Sequence, residues 1–294
     1  MVGTGAKMIV SQELIRKGSD LLKENGVEES QVIAELLLAH ILNCRRHDLH
    51  RLRNDSVPAE ICRQFDSLIQ RASSHEPVQY ITGEIEFMGM SILVDRRVLI
   101  PRPETEILVE EVIRIVKDRV APPRILEIGT GSGNIAVALA KFLPEALIET
   151  IDTDGNALEI ARKNILRHKV ESTVFPSKFD IFSDSGMPES TFDIIVSNPP
   201  YISYKEYHAL PSNVRQFEPM IALTDSGDGL TFYRRIAEVS KSLSTPGGIV
   251  VVEIAYNQAN DVRQIFLGAG FVAINLTRDF NGIERVLTAT SSGS

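Results

Sequence analysis

Arg124-Ile125-Leu126-Glu127-Ile128-Gly129-Thr130-Gly131-Ser132-Gly133-Asn134 is the stretch that decides the fold. Its first five residues read as a strand rich in β-formers. Glycines then take alternate positions, and a helix follows from Asn134 to Phe142. Glycines between a strand and a helix let a ligand approach the backbone closely. A second strand, Ala146 to Ile151, ends at Asp152, 23 positions after Gly129. An acidic residue there can bind both ribose hydroxyls of an adenosine. Glycine loop and later acid alone also fit nicotinamide and flavin enzymes. Those usually carry Gly-x-Gly-x-x-Gly, because the pyrophosphate sits on the helix N-terminus.

Downstream, a helix from Asn156 to Arg167 precedes a third strand around Thr173-Val174-Phe175. It leads to Phe179-Asp180-Ile181-Phe182. Asp180 can accept from an adenine amino group and its apolar neighbours can pack on the ring; an ordinary loop over core residues fits the stretch equally. A buried strand, Phe192 to Ser197, stops at Asn198-Pro199-Pro200-Tyr201. Two prolines cannot donate to a sheet ladder and each fixes φ, so this is a rigid loop at the carboxyl end of a strand. Ligands of open α/β sheets bind at that edge. Asn198 Oδ1 and the Pro199 carbonyl can accept two N–H bonds, and Tyr201 can offer a flat apolar face, as a primary amide requires. A helix from Leu230 to Leu243, a strand from Ile249 to Ile254, a helix from Gln258 to Leu267 and a closing pair, Val272–Thr277 with Glu284–Ala289, complete the chain. The order predicts an α/β fold with a mostly parallel sheet, helices on both faces and one antiparallel edge strand.

Upstream, residues 1–76 are expected to form a small helical bundle. Ser11 and Ser30 are the expected caps of its first two helices, and Pro58 opens a third. Residues 77–98, with Val78, Tyr80, Ile81, Phe87, Met90 and Ile92, read as a linking β-hairpin turning at Gly83 and Gly89. Residues 99–294 form the larger domain. It begins with Ile100-Pro101-Arg102-Pro103-Glu104-Thr105-Glu106, an extended segment read as a wall of the active site.

The 294 residues are 43% hydrophobic and 24% charged, the composition of an ordinary globular protein. A net charge of −8 argues against broad nucleic-acid binding and a stable nucleic-acid complex. Arg45, Arg46, Arg51 and Arg53, with His47 and His50 between them, are the one basic cluster, read as either a solvated loop or a docking patch. Cys44 and Cys62 have no metal or redox spacing, so reduced thiols in the cytoplasm are expected. No apolar run is long enough to span a bilayer, and Met1–Ala6 lacks a signal pattern. Met1–Ala6 and Ser291–Ser294 read as loose tails. A monomer is expected.

Glu127-x-Gly129-x-Gly131-x-Gly133 resembles the first motif of the class I S-adenosylmethionine-dependent methyltransferases. An Asn-Pro-Pro-Tyr loop after the fourth strand is similar to those that modify planar nitrogens: adenine N6, guanine N2 and the glutamine side-chain amide. Pro77-Val78-Gln79-Tyr80-Ile81-Thr82-Gly83, the Ile100–Glu106 segment, Phe217-Glu218-Pro219 and Asn281-Gly282-Ile283-Glu284-Arg285 narrow the choice. Together they resemble the PrmC/HemK family of release factor protein-(glutamine-N5) methyltransferases, and the likeness runs nearly the whole chain.

The resemblance implies a Rossmann-like, seven-stranded methyltransferase domain behind a helical domain that recognises the substrate. It implies S-adenosyl-L-methionine as methyl donor, S-adenosyl-L-homocysteine as product, and the glutamine of the Gly-Gly-Gln motif of class 1 peptide chain release factors as acceptor. By the same likeness Gly129, Thr130, Gly131, Ser132, Gly133, Asp152, Asp180, Ile181 and Asn198 hold the cofactor. Asn198, Pro199, Pro200 and Tyr201 carry catalysis, with no metal. Some members have a tryptophan where this chain has Ile181, so apolar packing on adenine rather than ring stacking is implied there. N5-glutamine methylation of a ribosomal protein, nucleic-acid N6-adenine methylation and a non-catalytic cofactor-binding module are the rival readings.

Overall fold

The computed structural model describes residues 9–117, 119–183 and 190–292. The tail segment Met1–Ala6 and residues 293–294 lie outside them. The chain divides into two units, Met1–Gly83 and Glu84–Ser294.

The first unit contains β1 (Ile9–Val10), α1 (Ser11–Glu24), α2 (Ser30–Ile41), α3 (Leu49–Leu52), β2 (Ser56–Val57), α4 (Ala59–Ser73) and α5 (Val78–Thr82). Apolar residues at helical spacing, among them Leu14, Leu22, Leu37, Leu38, Phe65 and Ile69, close into one core. Ser11 and Ser30 do not cap. Each is the first residue inside its helix, and Val10 and Glu29 hold the cap positions without a side-chain bond. β1 pairs antiparallel with β2, and Ser11 N donates to Asp55 O at 3.1 Å, so this pairing sets where α1 begins.

Residues 78–82 are helix, not strand. Pro77 starts the turn, and Gly83 at φ 80 ends it. Ile81 is buried in the bundle core, and Val78 packs against it. Packing and flanking punctuation here override the β-preference of Val, Tyr and Ile.

The second unit opens with the hairpin β3 (Glu84–Phe87) and β4 (Met90–Leu93). Met88 and Gly89 both have positive φ, the backbone of a tight two-residue hairpin turn. There follow α6 (Glu104–Lys117), β5 (Arg124–Ile128), α7 (Asn134–Phe142), β6 (Leu147–Asp152), α8 (Gly155–His168), β7 (Val174–Lys178) and β8 (Phe192–Ser197). After these come α9 (Tyr204–Ala209), α10 (Ser212–Phe217), α11 (Thr231–Leu243), β9 (Ser244–Glu253), α12 (Ala259–Gly268), β10 (Phe271–Arg278) and β11 (Glu284–Ser291). Asn164 of α8 clamps the hairpin to this unit. Its Oδ1 accepts Leu93 N at 2.8 Å, and its Nδ2 donates to Leu93 O and Ser132 O at 2.9 Å.

Seven strands form one sheet in the order β10-β11-β9-β8-β5-β6-β7. β9, β8, β5, β6 and β7 are parallel neighbours, while β11 runs antiparallel to both β9 and β10. The reversed strand is therefore one place in from the edge, not at the edge as expected. Burial explains the exchange: Val286, Leu287 and Ala289 of β11 are wholly buried, whereas most of β10 is exposed or half-exposed.

β5 and β8 sit side by side at the centre, and the chain runs outward from them in opposite directions. Their carboxyl ends form the switch point where open α/β sheets hold ligands. No helix among the described residues is long and apolar enough to cross a membrane.

Candidate active site

The glycine loop leaves β5 at that switch point. Gly129, Gly131 and Gly133 all have positive φ. At Gly133 a β-carbon would stand 3.1 Å from Ala161 Cβ and 3.2 Å from its Cα, so only glycine lets α7 start this close to α8. Gly129 N and Thr130 N donate to Ile151 O at 2.9 and 3.1 Å.

Asp152, at the end of β6, organises the loop from the other side. Its Oδ2 accepts Gly131 N and its Oδ1 accepts Asp154 N, both at 2.9 Å. Burial pushes its carboxyl above the usual range, against the pull of these N–H donors. Below the loop, Thr130 and Thr150 hydroxyls meet at 2.7 Å, and Thr150 donates to fully buried Glu127. Burial holds Glu127 up at about 8, with the Thr150 hydroxyl pulling the other way.

A cavity of about 490 Å³ spans the space between the glycine loop and the Asn198 loop. Gly129, Thr130, Gly131, Ser132, Asp152, Asp180, Ile181, Asn198, Pro199 and Pro200 line it. Gly133 does not, and acts through the backbone turn. Asp180 is exposed, and its Oδ1 accepts Phe182 N at 2.9 Å. Ile181 is 5% exposed, and its carbonyl accepts Arg235 Nε at 2.5 Å. Phe179, Phe182 and Phe232 add an aromatic wall, with Phe182 and Phe232 edge to face at 5.1 Å.

The Asn198 loop is braced on three sides. Ser197 Oγ donates to Ile128 O at 2.7 Å, tying β8 to β5. Asn198 Nδ2 donates to Thr105 Oγ1 at 3.0 Å. Gln258 Nε2 donates to Tyr201 O at 2.9 Å. Tyr201 differs from its sequence reading. It is absent from the cavity lining; its ring packs on the core and its hydroxyl donates to Glu253 Oε1 at 3.4 Å.

The proline-rich segment does line the cavity, through Pro101, Arg102 and Thr105. Glu218, buried, holds it: Oε1 takes Arg102 Nη2 at 2.5 Å and Oε2 takes Ile100 N at 3.3 Å. Pro219, beside it, is also in the lining. Arg285 reaches Asp279 at 2.9 Å and Glu104 at 3.7 Å. Motifs more than a hundred residues apart thus converge on one rim.

Residues 13–83 match the PrmC N-terminal domain family, and residues 104–216 match the methyltransferase small domain family. The release factor glutamine methyltransferase of Rhodopirellula baltica is 39% identical, over 94% of this chain and 94% of its own. That of Geobacter sulfurreducens is 39% identical, over 90% and 91%. The chain belongs to the release factor glutamine methyltransferase family. A methyltransferase crystal structure from Pyrococcus furiosus has the same fold. It aligns at a TM-score of 0.52 and 20% identity, over 78% of this chain and 98% of that one.

Two polar residues near the site, Glu253 and Gln258, stand outside the motifs legible in the sequence. Glu253 closes β9 and is 2% exposed; burial raises it to about 7, with the Thr105 hydroxyl and the Tyr201 phenol pulling it down. Its signal was a carboxylate ending a buried strand at the ligand edge. Gln258 had none, because its bonds to Tyr201 O and Gly229 O join loops far apart in sequence. Among the described residues no cluster of His, Cys, Asp or Glu can hold a metal ion.

Gly229 shows how tightly the loop is packed. It sits at φ +83, and a β-carbon would lie 2.5 Å from Tyr201 O. Gly229→Ala is expected to cost about 2 kcal/mol in overpacking and backbone strain. The melting temperature should fall by about 5 °C. The Asn198 loop should shift, and methyl transfer slow by about tenfold. Thermal melts beside initial rates check this.

Proposed function

We propose that this chain transfers the methyl group of S-adenosyl-L-methionine to the side-chain amide nitrogen of the glutamine in the Gly-Gly-Gln motif of class 1 peptide chain release factors. The observation that carries the reading is the placement of Asn198 beside the glycine loop with its Nδ2 already engaged. That leaves Oδ1 free among the described residues as an acceptor for an amide N–H. The Pro199 carbonyl is the second acceptor in this reading.

The site fits the cofactor in its own chemistry. The positive-φ glycines leave backbone bare where a nucleoside chain must pass, and each Asp152 oxygen keeps a lone pair for a ribose hydroxyl. Phe179, Ile181 and Phe182 offer apolar surface to adenine, with Asp180 beside them to accept from its amino group. The sulfonium supplies an already electrophilic methyl. What the chain must add is alignment of the nitrogen with it, since an amide lone pair is delocalised and a poor nucleophile. Acceptors on the two amide hydrogens orient that nitrogen and stabilise the positive charge growing on it.

Recognition of the protein around the glutamine falls, in this reading, to the N-terminal unit. There Arg16, Arg46, His47, His50 and Arg53, with Asp20 and Glu35, line an open groove of about 930 Å³. Arg46 pairs with Glu35 at 2.7 Å; Arg45 and Arg51 stand outside the lining. The reading includes a cytoplasmic location, supported by the two free cysteines and by a proposed substrate that works in translation.

The test is methyl transfer from labelled S-adenosylmethionine to purified class 1 release factor, beside a Gly-Gly-Ala variant and a ribosomal-protein control. Label on the wild-type factor alone is expected. Label on the ribosomal protein instead, or on none of the three with cofactor bound, would overturn the substrate assignment.

A further inference from the structure

Asn198 can serve the amide only if its side chain is held one way round. Oδ1 accepts and Nδ2 donates, and an amide flipped by 180° would set a donor against the substrate N–H. The donor end is occupied by Thr105, which is 2% exposed in the first turn of α6. A hydroxyl has one proton and two lone pairs. With a lone pair given to Asn198 Nδ2, the Thr105 proton must point elsewhere. Glu253 is the carboxylate whose ionised form the Thr105 hydroxyl favours. Its Oε1 takes the Tyr201 hydroxyl, and its buried Oε2 has no hydrogen-bond partner among the described residues and stands open as an acceptor. The Tyr233 hydroxyl, at 2.8 Å from the Glu253 carbonyl, pins the same residue from α11.

We propose that Thr105 and Glu253 are positioning residues for methyl transfer, which hold the Asn198 amide with Oδ1 as the atom offered to the nitrogen being methylated. The proposal rests on the glutamine methyltransferase reading above and adds to it the device that sets the direction of the hydrogen-bond chain. An ionised Glu253 draws the Thr105 proton toward itself, so Thr105 accepts from Nδ2 and Oδ1 stays free. A protonated Glu253 no longer draws that proton, which is then free to turn toward Asn198 and compete with Nδ2, so the flipped amide gains population.

The groups facing Glu253 set where that reversal falls. Burial and Glu104 of α6 raise its pKa, the Thr105 and Tyr201 hydroxyls and Arg285 of β11 lower it, and the balance is about 7. Tyr233, whose hydroxyl lies against the Glu253 carbonyl, is held far above its usual range by burial and stays neutral. The competent form is the ionised one, so kcat rises with pH through neutrality.

The experiment compares wild type, Thr105→Val, Thr105→Ser and Glu253→Gln on release factor, at saturating cofactor and substrate, from about pH 6 to about pH 9. Valine keeps the shape of threonine and loses only the hydroxyl. Thr105→Val is expected to lower kcat by about tenfold or more, with KM and cofactor affinity changed by less than about threefold. Serine at 105 is expected to restore the wild-type rate. Glu253→Gln is expected to lower kcat and abolish its rise through neutral pH. A role in packing alone predicts a lowered melting temperature, no rescue by serine and an unchanged pH profile. Thr105→Val at the wild-type rate, or Glu253→Gln with the wild-type pH profile, would overturn the proposal. A wild-type enzyme that leaves release factor unlabelled would instead defeat the substrate reading and is scored separately.

Discussion

Asn198→Ala is expected to lower kcat for release factor methylation by about 10²-fold or more, the scale for one lost transition-state partner. The substitution removes the acceptor on one amide hydrogen and leaves the cavity otherwise lined as before. In the ground state the amide nitrogen is nearly neutral, and an acceptor on its hydrogen gains little over water. As the methyl arrives, positive charge develops on nitrogen and the same contact strengthens. The loss therefore falls on kcat rather than on binding. S-adenosylmethionine affinity should stay within a few-fold of wild type, because the proposed ribose and adenine partners are Asp152 and the Phe179–Phe182 stretch of the same cavity. Single-turnover rates at saturating cofactor, with calorimetry for the cofactor, check both halves. Near-normal turnover would remove Asn198 from the reaction.

Asp152→Ala has the opposite signature: cofactor affinity falls by about 100-fold, with a smaller change in kcat once cofactor saturates. Hydrogen bonds to a charged acceptor contribute about 1.5–3 kcal/mol, and in the proposed binding mode the carboxylate gives one lone pair on each oxygen to the ribose. The same residue also holds the Gly131 and Asp154 amides, so alanine loosens the glycine loop as well. Asp152→Asn, which keeps the shape and one acceptor, should lose less. The pH dependence has a definite sign. Burial is the leading cause of the raised pKa, and the ionised form is the acceptor. Affinity therefore weakens on acidification, starting above the range where an ordinary aspartate titrates. Calorimetric affinity that is the same in Asp152→Ala as in wild type would exclude Asp152 from the site.

The two substitutions fall on motifs legible in the sequence, and the reason is physical. Three alternating glycines after a buried strand have few structural uses other than a close backbone approach. Asn-Pro-Pro-Tyr at a strand end can neither continue the sheet nor flex. Errors arose where local preference met packing. Val78, Tyr80 and Ile81 prefer strands, yet Pro77 and Gly83 bracket a helical turn that buries Ile81 in the bundle core. The sequence shows β10 and β11 as a closing pair, but pairing alone does not say which member lies outside. The burial of Val286, Leu287 and Ala289 does. Tyr201 belongs to the rigid loop as read, although its ring packs into the core and the cavity takes its aromatic wall from phenylalanines.

By itself, the sequence determined the order of the main strands and helices of the α/β unit, the edge of the sheet that carries the candidate site, and the loops that line its cavity. These follow from period, punctuation and short spacing, all local properties of the chain. Only the tertiary structure decided what stands behind Asn198. Thr105 lies 93 positions before it and Glu253 follows Tyr201 by 52, on a helix and a strand whose own patterns speak only of burial. A buried carboxylate takes its meaning from the atoms around it, and those come from α6, β9, β11 and the Asn198 loop together.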